Sequence, residues 1–155
     1  MEFIAKTHND NKAVSEIIKR WGSDIIVSRG NVYKAEDVDG IIAYDKEKII
    51  GLGLYAIKNN SCEIVLLETF IQNTGIGSGI IERIKEIAKA KKCKRIWLVT
   101  TNNNINALKF YQKRGFHFSN IYINSMEEAR KIKPELPKVY DGIEIRDEIE
   151  FEMKI

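Results

Sequence analysis

The chain has little of what staples small or extracellular proteins together. Its 155 residues include two cysteines (Cys62, Cys93), two prolines (Pro134, Pro137) and two histidines (His8, His117). A single cysteine pair is too few for a disulfide framework. Both fall where apolar packing is expected, in a strand and at the end of a helix, so both read as reduced core thiols. Neither histidine has a Cys, Asp or Glu at a recognisable ligand spacing, and no metal is expected. No apolar run approaches the roughly 18 residues of a membrane span. The opening MEFIAKTHNDNK lacks the basic stretch and apolar core of a secretory leader. A cytoplasmic protein that does not engage membranes is the expectation. Linkers, low-complexity tracts and repeats are also missing, and 155 residues is the size of one ordinary domain. One domain over 1–155 is therefore expected.

What is present is globular: 44% hydrophobic and 30% charged residues, with a net charge of only +3. The charge is uneven, because Glu82 to Arg95, ERIKEIAKAKKCKR, holds seven Lys or Arg against two Glu. That segment reads as a solvated helix face, or as a patch that draws a phosphorylated ligand. Its basic residues are interspersed with apolar core positions and no base-reading motif accompanies them, so nucleic acid is not an expected partner.

Periodicity predicts a mixed α/β (α+β) order. Glu2–Lys6 reads as an edge strand, and Asn11–Trp21 as a helix with Val14, Ile17, Ile18 and Trp21 on one face, ended by Gly22. A short segment, Ile25–Ser28, follows. Gly40–Tyr44 and Ile49–Ile57 read as a hairpin around Asp45–Lys48, and Glu63–Phe70 as a third strand after Asn59-Asn60. A helical stripe covers Gly79–Ala88, then Arg95–Thr100 (RIWLVT) is apolar enough for a central parallel strand. Strand, helix and strand make one βαβ unit. A helix over Asn104–Arg114 closes at Gly115. Phe116–Ile123 reads as a strand, Ser125–Lys131 as a short helix, and Ile149–Ile155 (IEFEMKI) as an alternating final strand. The last strand leaves room for edge pairing with a second copy, a homodimer.

Gln72-Asn73-Thr74-Gly75-Ile76-Gly77-Ser78-Gly79 sits between a strand and a helix, where backbone N–H groups and the positive end of the helix dipole converge on an anion. Glycines there remove Cβ atoms that would hold a phosphate away, or simply bend the chain. A P-loop needs Gly-Lys-Ser/Thr and this loop ends Gly-Ser-Gly. A dinucleotide fingerprint needs GxGxxG, and from Gly75 the sixth position is Ile80, from Gly77 it is Glu82. Both fail. The pattern Gln/Arg-xx-Gly-x-Gly fits as Gln72, Gly75 and Gly77.

About thirty residues later stands Asn106-Ala107-Leu108-Lys109-Phe110-Tyr111-Gln112-Lys113-Arg114-Gly115-Phe116. Together the two segments resemble the GNAT superfamily of N-acetyltransferases, over Leu66–Phe118 and in the family's order. The resemblance implies a mostly antiparallel sheet of 6–7 strands with one parallel crossover and helices on both faces. It also implies acetyl-CoA as acetyl donor, with no metal. The loop from Gln72 through Asn73, Thr74, Gly75, Ile76 and Gly77 to Ser78 would hold the pyrophosphate, with Gly79 letting the helix pack close. Thr69, Phe70 and Ile71 would pair with the pantetheine amides as an added strand. Asn106 would contact pantetheine, and Tyr111 would stand beside the thioester sulfur. Lys109, Lys113 and Arg114 remain alternatives for the ribose 3′-phosphate. The lead-in is short, Phe70-Ile71 running straight into Gln72.

Acetyl transfer to an amine needs a neutral amine and a proton for the departing thiolate. Tyr111 is the candidate general acid, since a phenol of reference pKa about 10 donates to a thiolate; the alternative is an aromatic core residue in a helical stripe. Glu68 is the candidate base, directly or through a water, because an acid inside VLLETF needs a reason. Glu63, or no protein base at all, stays open. Asn106 has an alternative too, since Asn102, Asn103, Asn104 and Asn106 all suit a helix start. The expected activity is transfer of acetyl to a primary amine, small molecule or peptide, by direct attack on the thioester; a non-catalytic CoA or acyl-CoA sensor is the alternative. The acceptor pocket would be shaped by the Asn11–Trp21 helix, the 28–38 stretch and the 125–141 region.

Overall fold

In the computed structural model, which describes residues 1–72 and 74–155, the chain runs β1 (Glu2–Ala5), α1 (Asn11–Ile18), β2 (Ile26–Ser28), β3 (Asn31–Tyr33), β4 (Asp39–Asp45), β5 (Lys48–Lys58) and β6 (Ser61–Thr69). It continues through α2 (Ile76–Ala90), β7 (Arg95–Thr101), α3 (Ile105–Lys113), β8 (His117–Tyr122) and α4 (Ser125–Ile132). A small hairpin of β9 (Val139–Tyr140) and β10 (Ile143–Glu144) leads to β11 (Glu148–Lys154). Seven strands form one sheet in the order β1-β4-β5-β6-β7-β11-β8. Every pairing is antiparallel except β6 with β7, the one crossover the sequence predicts.

Turn chemistry sets the β5–β6 hairpin: Asn59 and Asn60 both take positive φ, 51° and 61°, as a two-residue type I′ turn requires. The apolar stripe of α2 (Ile76, Ile80, Ile81, Ile84, Ala88) packs on one sheet face with Ile41, Ile64, Ile96, Leu98, Tyr111 and Phe151. On the other face α1 buries Val14, Ile17 and Ile18 against Ile42, Leu52 and Leu54. Cys62 and Cys93 are both free thiols buried in the α2-side core.

Two boundaries differ from expectation in ways that matter. The second helix begins at Ile76, not Gly79, so part of the expected loop is the helix's first turn. Gly75 is its N-cap at φ 77°, a left-handed conformation a Cβ would strain, and the turn it makes lets the helix start early. The first helix stops at Ile18 and tightens into a 3-10 turn, Lys19–Trp21, which carries Trp21 off the buried stripe; it is 56% exposed. Two hairpins, β2–β3 and β9–β10, were not predicted as such.

The feature that positions the site lies between β6 and β7. They pair only at Ser61↔Arg95, Cys62↔Ile96 and Glu63↔Trp97, although β6 runs on to Thr69 and β7 to Thr101. Just beyond the last pair β6 carries a bulge, since Tyr55 opposes Ile64 while Leu54 opposes Leu66, leaving Val65 as the extra residue. A bulge bends its strand and increases twist. The two strands diverge and the sheet opens into a wedge.

Candidate active site

The wedge is a cavity of about 760 Å³, within the range of small-molecule sites. Its walls are β6 from Ile64 to Leu67 with Thr69, β7 from Leu98 to Thr100, the start of α2, and one face of α3. The parallel ladder closes its bottom.

At one end stands the start of α2. The first intrahelical bond is donated by the Gly79 N–H to the Gly75 carbonyl (3.0 Å), so the N–H groups of Ile76, Gly77 and Ser78 have no partner within the helix. The three glycines serve different ends. Gly75 has nothing within 4 Å of where its Cβ would be and faces open space. A Cβ on Gly77 would meet the Phe110 ring at 2.9 Å, and one on Gly79 would run into the Phe3 ring. Gly77 lets α3 approach, while Gly79 lets β1 approach and does not line the cavity. Beside the free N–H groups, Arg114 donates from Nε to Ser78 Oγ (2.7 Å) and from Nη1 to the Phe110 carbonyl (2.9 Å), its guanidinium 3.6 Å above the Phe110 ring. Lys109 and Lys113 also line the cavity, but neither is fixed in this way. N–H groups with no partner among the described residues, a helix dipole and a pinned guanidinium together favour an anion there, an anion seat in chemical terms.

Gln72, Thr74, Gly75, Ile76, Gly77 and Ser78 all line the cavity with Ile71 and Thr69; Asn73 lies outside the described residues. Phe70 is turned away. Its ring packs in the α1-side core under Arg20, and its N–H is bonded to the Ile50 carbonyl (2.9 Å), since successive strand residues face opposite ways. Thr69 and Ile71, the residues on either side of Phe70, line the cavity instead.

The asparagines near α3 sort themselves. Asn104 is the N-cap, its side chain accepting from the Ala107 N–H (3.2 Å). Asn102 accepts from the Arg146 and Asp147 N–H groups, and Asn103 from Thr101 Oγ1. Asn106 is exposed, lines the cavity, and among the described residues has no side-chain hydrogen bond. One turn on, Tyr111 also lines the cavity, its ring boxed by Phe110, Phe116 and Phe151 at centroid distances of 5.1, 5.5 and 5.8 Å. Burial pushes its phenol well above the ordinary value, slightly offset by Arg114. The proton therefore stays on the oxygen across neutral pH, which makes Tyr111 a hydrogen-bond donor.

Glu63 and Glu68 occupy different worlds. Glu63 is 4% exposed, and both its oxygens are taken, one by Ser28 Oγ and the other by Tyr33 Oη (3.2 Å). Glu68 is not itself on the cavity wall, because it projects from β6 toward the α1 side. There its carboxylate meets Trp21, whose ring does line the cavity and whose Nε1–H donates to Oε2 at 3.4 Å. Burial raises its pKa above the usual carboxylate value, while Trp21 and then Arg20 work to lower it. Trp21 is the site residue that periodicity misassigned to the core; the signal available was a tryptophan directly before a helix-ending glycine.

Among the described residues no group of three His, Cys, Asp or Glu is placed to hold a metal, and no helix is long and apolar enough to cross a membrane. The model of the acetyltransferase (GNAT) family matches residues 10–116. An uncharacterized protein of Bacillus subtilis, YdhI, is 42% identical over 135 residues, 86% of this chain and 84% of the relative. The spermine/spermidine N(1)-acetyltransferase of the same organism is 31% identical over 87 residues, 49% of this chain and 57% of that protein. Among solved structures, a GNAT family acetyltransferase from Elizabethkingia anophelis with acetyl-CoA bound superposes with TM-score 0.73 at 22% identity, covering 99% of this chain and 97% of that one.

Proposed function

Since the chain belongs to the acetyltransferase (GNAT) family and is an acyltransferase by that membership, we propose that it transfers the acetyl group of acetyl-CoA to a primary amine, which enters the wedge from the α1 side. The observation that carries this reading is the placement of one anion seat and one buried phenol on the same cavity that a carboxylate borders through Trp21. The residues fit the cosubstrate. A diphosphate matches the free N–H groups of Ile76, Gly77 and Ser78 beside Arg114, and the Cβ-free space at Gly75 is what close approach of a phosphate needs. Arg114, alone of the three candidate cations, is already held there.

When bound, acetyl-CoA supplies an acetyl group activated as a thioester. The backbone of Thr69 and Ile71 and the Asn106 amide would hold the pantetheine. Tyr111 offers its O–H toward the sulfur, stabilising charge as it develops there. Glu68, ionised and raised above the usual carboxylate range, takes a proton from the incoming ammonium, directly or through a water. Glu63, with both oxygens engaged, is not available for that work.

Thermal unfolding with acetyl-CoA tests the reading. Ligand at a hundred times its Kd adds about 2.7 kcal/mol, so Tm should rise clearly. Gly75→Glu, which places bulk and negative charge on the seat, should abolish the rise while the fold remains. No rise at millimolar acetyl-CoA overturns the proposal. CoA release across a panel of polyamines, amino acids and peptides then finds the acceptor.

A further inference from the structure

Trp21 stands half exposed on the cavity wall for no reason of packing. Val14, Ile17 and Ile18 already complete the α1 side of the core. The 3-10 turn advances each residue by about 120° instead of about 100°, swinging the indole out. Gly22 then turns the chain at φ 119°, with the Glu135 side chain filling the space a Cβ would need. The turn is thus held from outside by the segment after α4.

It presents two consecutive side chains to one carboxylate. Trp21 Nε1–H donates to Glu68 Oε2 at 3.4 Å, and Arg20 Nη1 lies 3.9 Å from Oε1. Arg20 is itself steadied over the Phe70 ring, 4.6 Å from its centroid. Across the ladder the β5 neighbour of Glu68 is Leu52, and among the described residues Trp21 and Arg20 are the polar groups that bear on its charge. Arg20 is 59% exposed and its contact long, so water screens it. The indole, which borders the cavity and bonds the carboxylate, is the contact that fixes orientation.

We propose that Trp21 is a positioning residue for Glu68: its indole N–H holds one carboxylate oxygen beside the cavity wall, in a fixed orientation toward an acceptor ammonium. The proposal rests on the reading of Glu68 as base. A donor to a carboxylate stabilises its charged state, so removing the N–H shifts the group's titration upward.

The test needs neither acceptor nor acetyl-CoA. Carboxyl 13C NMR of the full chain follows Glu68 against pH, with the resonance assigned by its loss in Glu68→Gln. Trp21→Phe keeps a ring on the wall and removes the donor; the Glu68 midpoint should rise by about half a pH unit, roughly a threefold change in the ionisation constant. A midpoint unchanged in Trp21→Phe overturns the proposal. Fluorescence gives a second readout that leaves Trp21 in place. In Trp97→Phe, Trp21 is the sole tryptophan; its emission should titrate with Glu68 and cease to do so once Glu68→Gln is added. Emission indifferent to that substitution also overturns the proposal. Failure of the base reading looks different: Glu68→Gln then turns over the panel's best amine at the wild-type rate, whatever the NMR midpoints.

Discussion

Tyr111 carries its phenol inside an aromatic box, and burial there decides what its proton can do. With the ionisation pushed above the reference value of about 10, the phenol keeps its proton across neutral pH and can donate a hydrogen bond there. Tyr111→Phe keeps the ring contacts with Phe110, Phe116 and Phe151 and removes only the donor. We expect kcat to fall about a hundredfold or more, the order seen when one preorganised donor is lost, with the Tm rise from acetyl-CoA retained. The kcat–pH profile should show no alkaline limb from this group below about pH 10. Unchanged kcat in Tyr111→Phe overturns its role. The family resemblance carried by the Asn106–Phe116 segment implied a place for this residue beside the ligand, and the structure puts it on the cavity wall. Which carboxylate has both oxygens engaged was not legible, because the partners of Glu63 are Ser28 and Tyr33, about thirty residues away on a hairpin that periodicity did not reveal.

At the scale of an element, the first turn of α2 combines two duties that substitution separates. Gly75 and Gly79 are four residues apart, yet one faces open space at φ 77° and the other faces Phe3. Gly79→Ala gains helix propensity of up to about 1 kcal/mol but drives a methyl into the Phe3 ring, an overpacking that costs about 1–3 kcal/mol. Its net effect should be a lower Tm with acetyl-CoA binding little changed, and Phe3→Leu in the same chain should restore part of the loss. Calorimetric titration with acetyl-CoA checks the first half; a loss of affinity as large as that of Gly75→Glu shows Gly79 to belong to the seat. The early start of α2 was illegible because Gly-Ser-Gly is a poor helix sequence. Contacts with Phe110 and Phe3, distant in sequence, override that propensity.

For the whole molecule, most strands of the sheet and its one crossover could be read from alternation and turn residues, but not the order of the strands. The place of β11, between β7 and β8, is a long-range pairing that alternation does not specify. IEFEMKI announces an apolar face and a polar one, and the structure then covers the polar one. Glu148 and Glu150 are 9% and 7% exposed beneath Arg29, which reaches Glu148 at 3.6 Å, and Tyr122, which donates to Glu150 at 2.8 Å. The divergence of β6 from β7 was equally hidden, since the apolar stretches Ile64–Leu67 and Ile96–Val99 that flank it look no different from paired strand. Hydrogen exchange should expose it. The Thr69 and Ile71 amides should exchange faster than that of Phe70, which is bonded to Ile50, and should slow selectively when acetyl-CoA is added. Equal protection of all three without ligand would show the wedge closed.

The wedge has a mechanical consequence. Three residue pairs, with buried Cys62 and Ile96 at their middle, act as a pivot from which two strands extend as jaws. From Glu63 to Thr69 the longer jaw reaches about 20 Å at the usual rise per strand residue. A displacement at the pivot is therefore multiplied at the tips. How far apart the two strands stand is set at the paired end of the sheet, away from the cavity they wall.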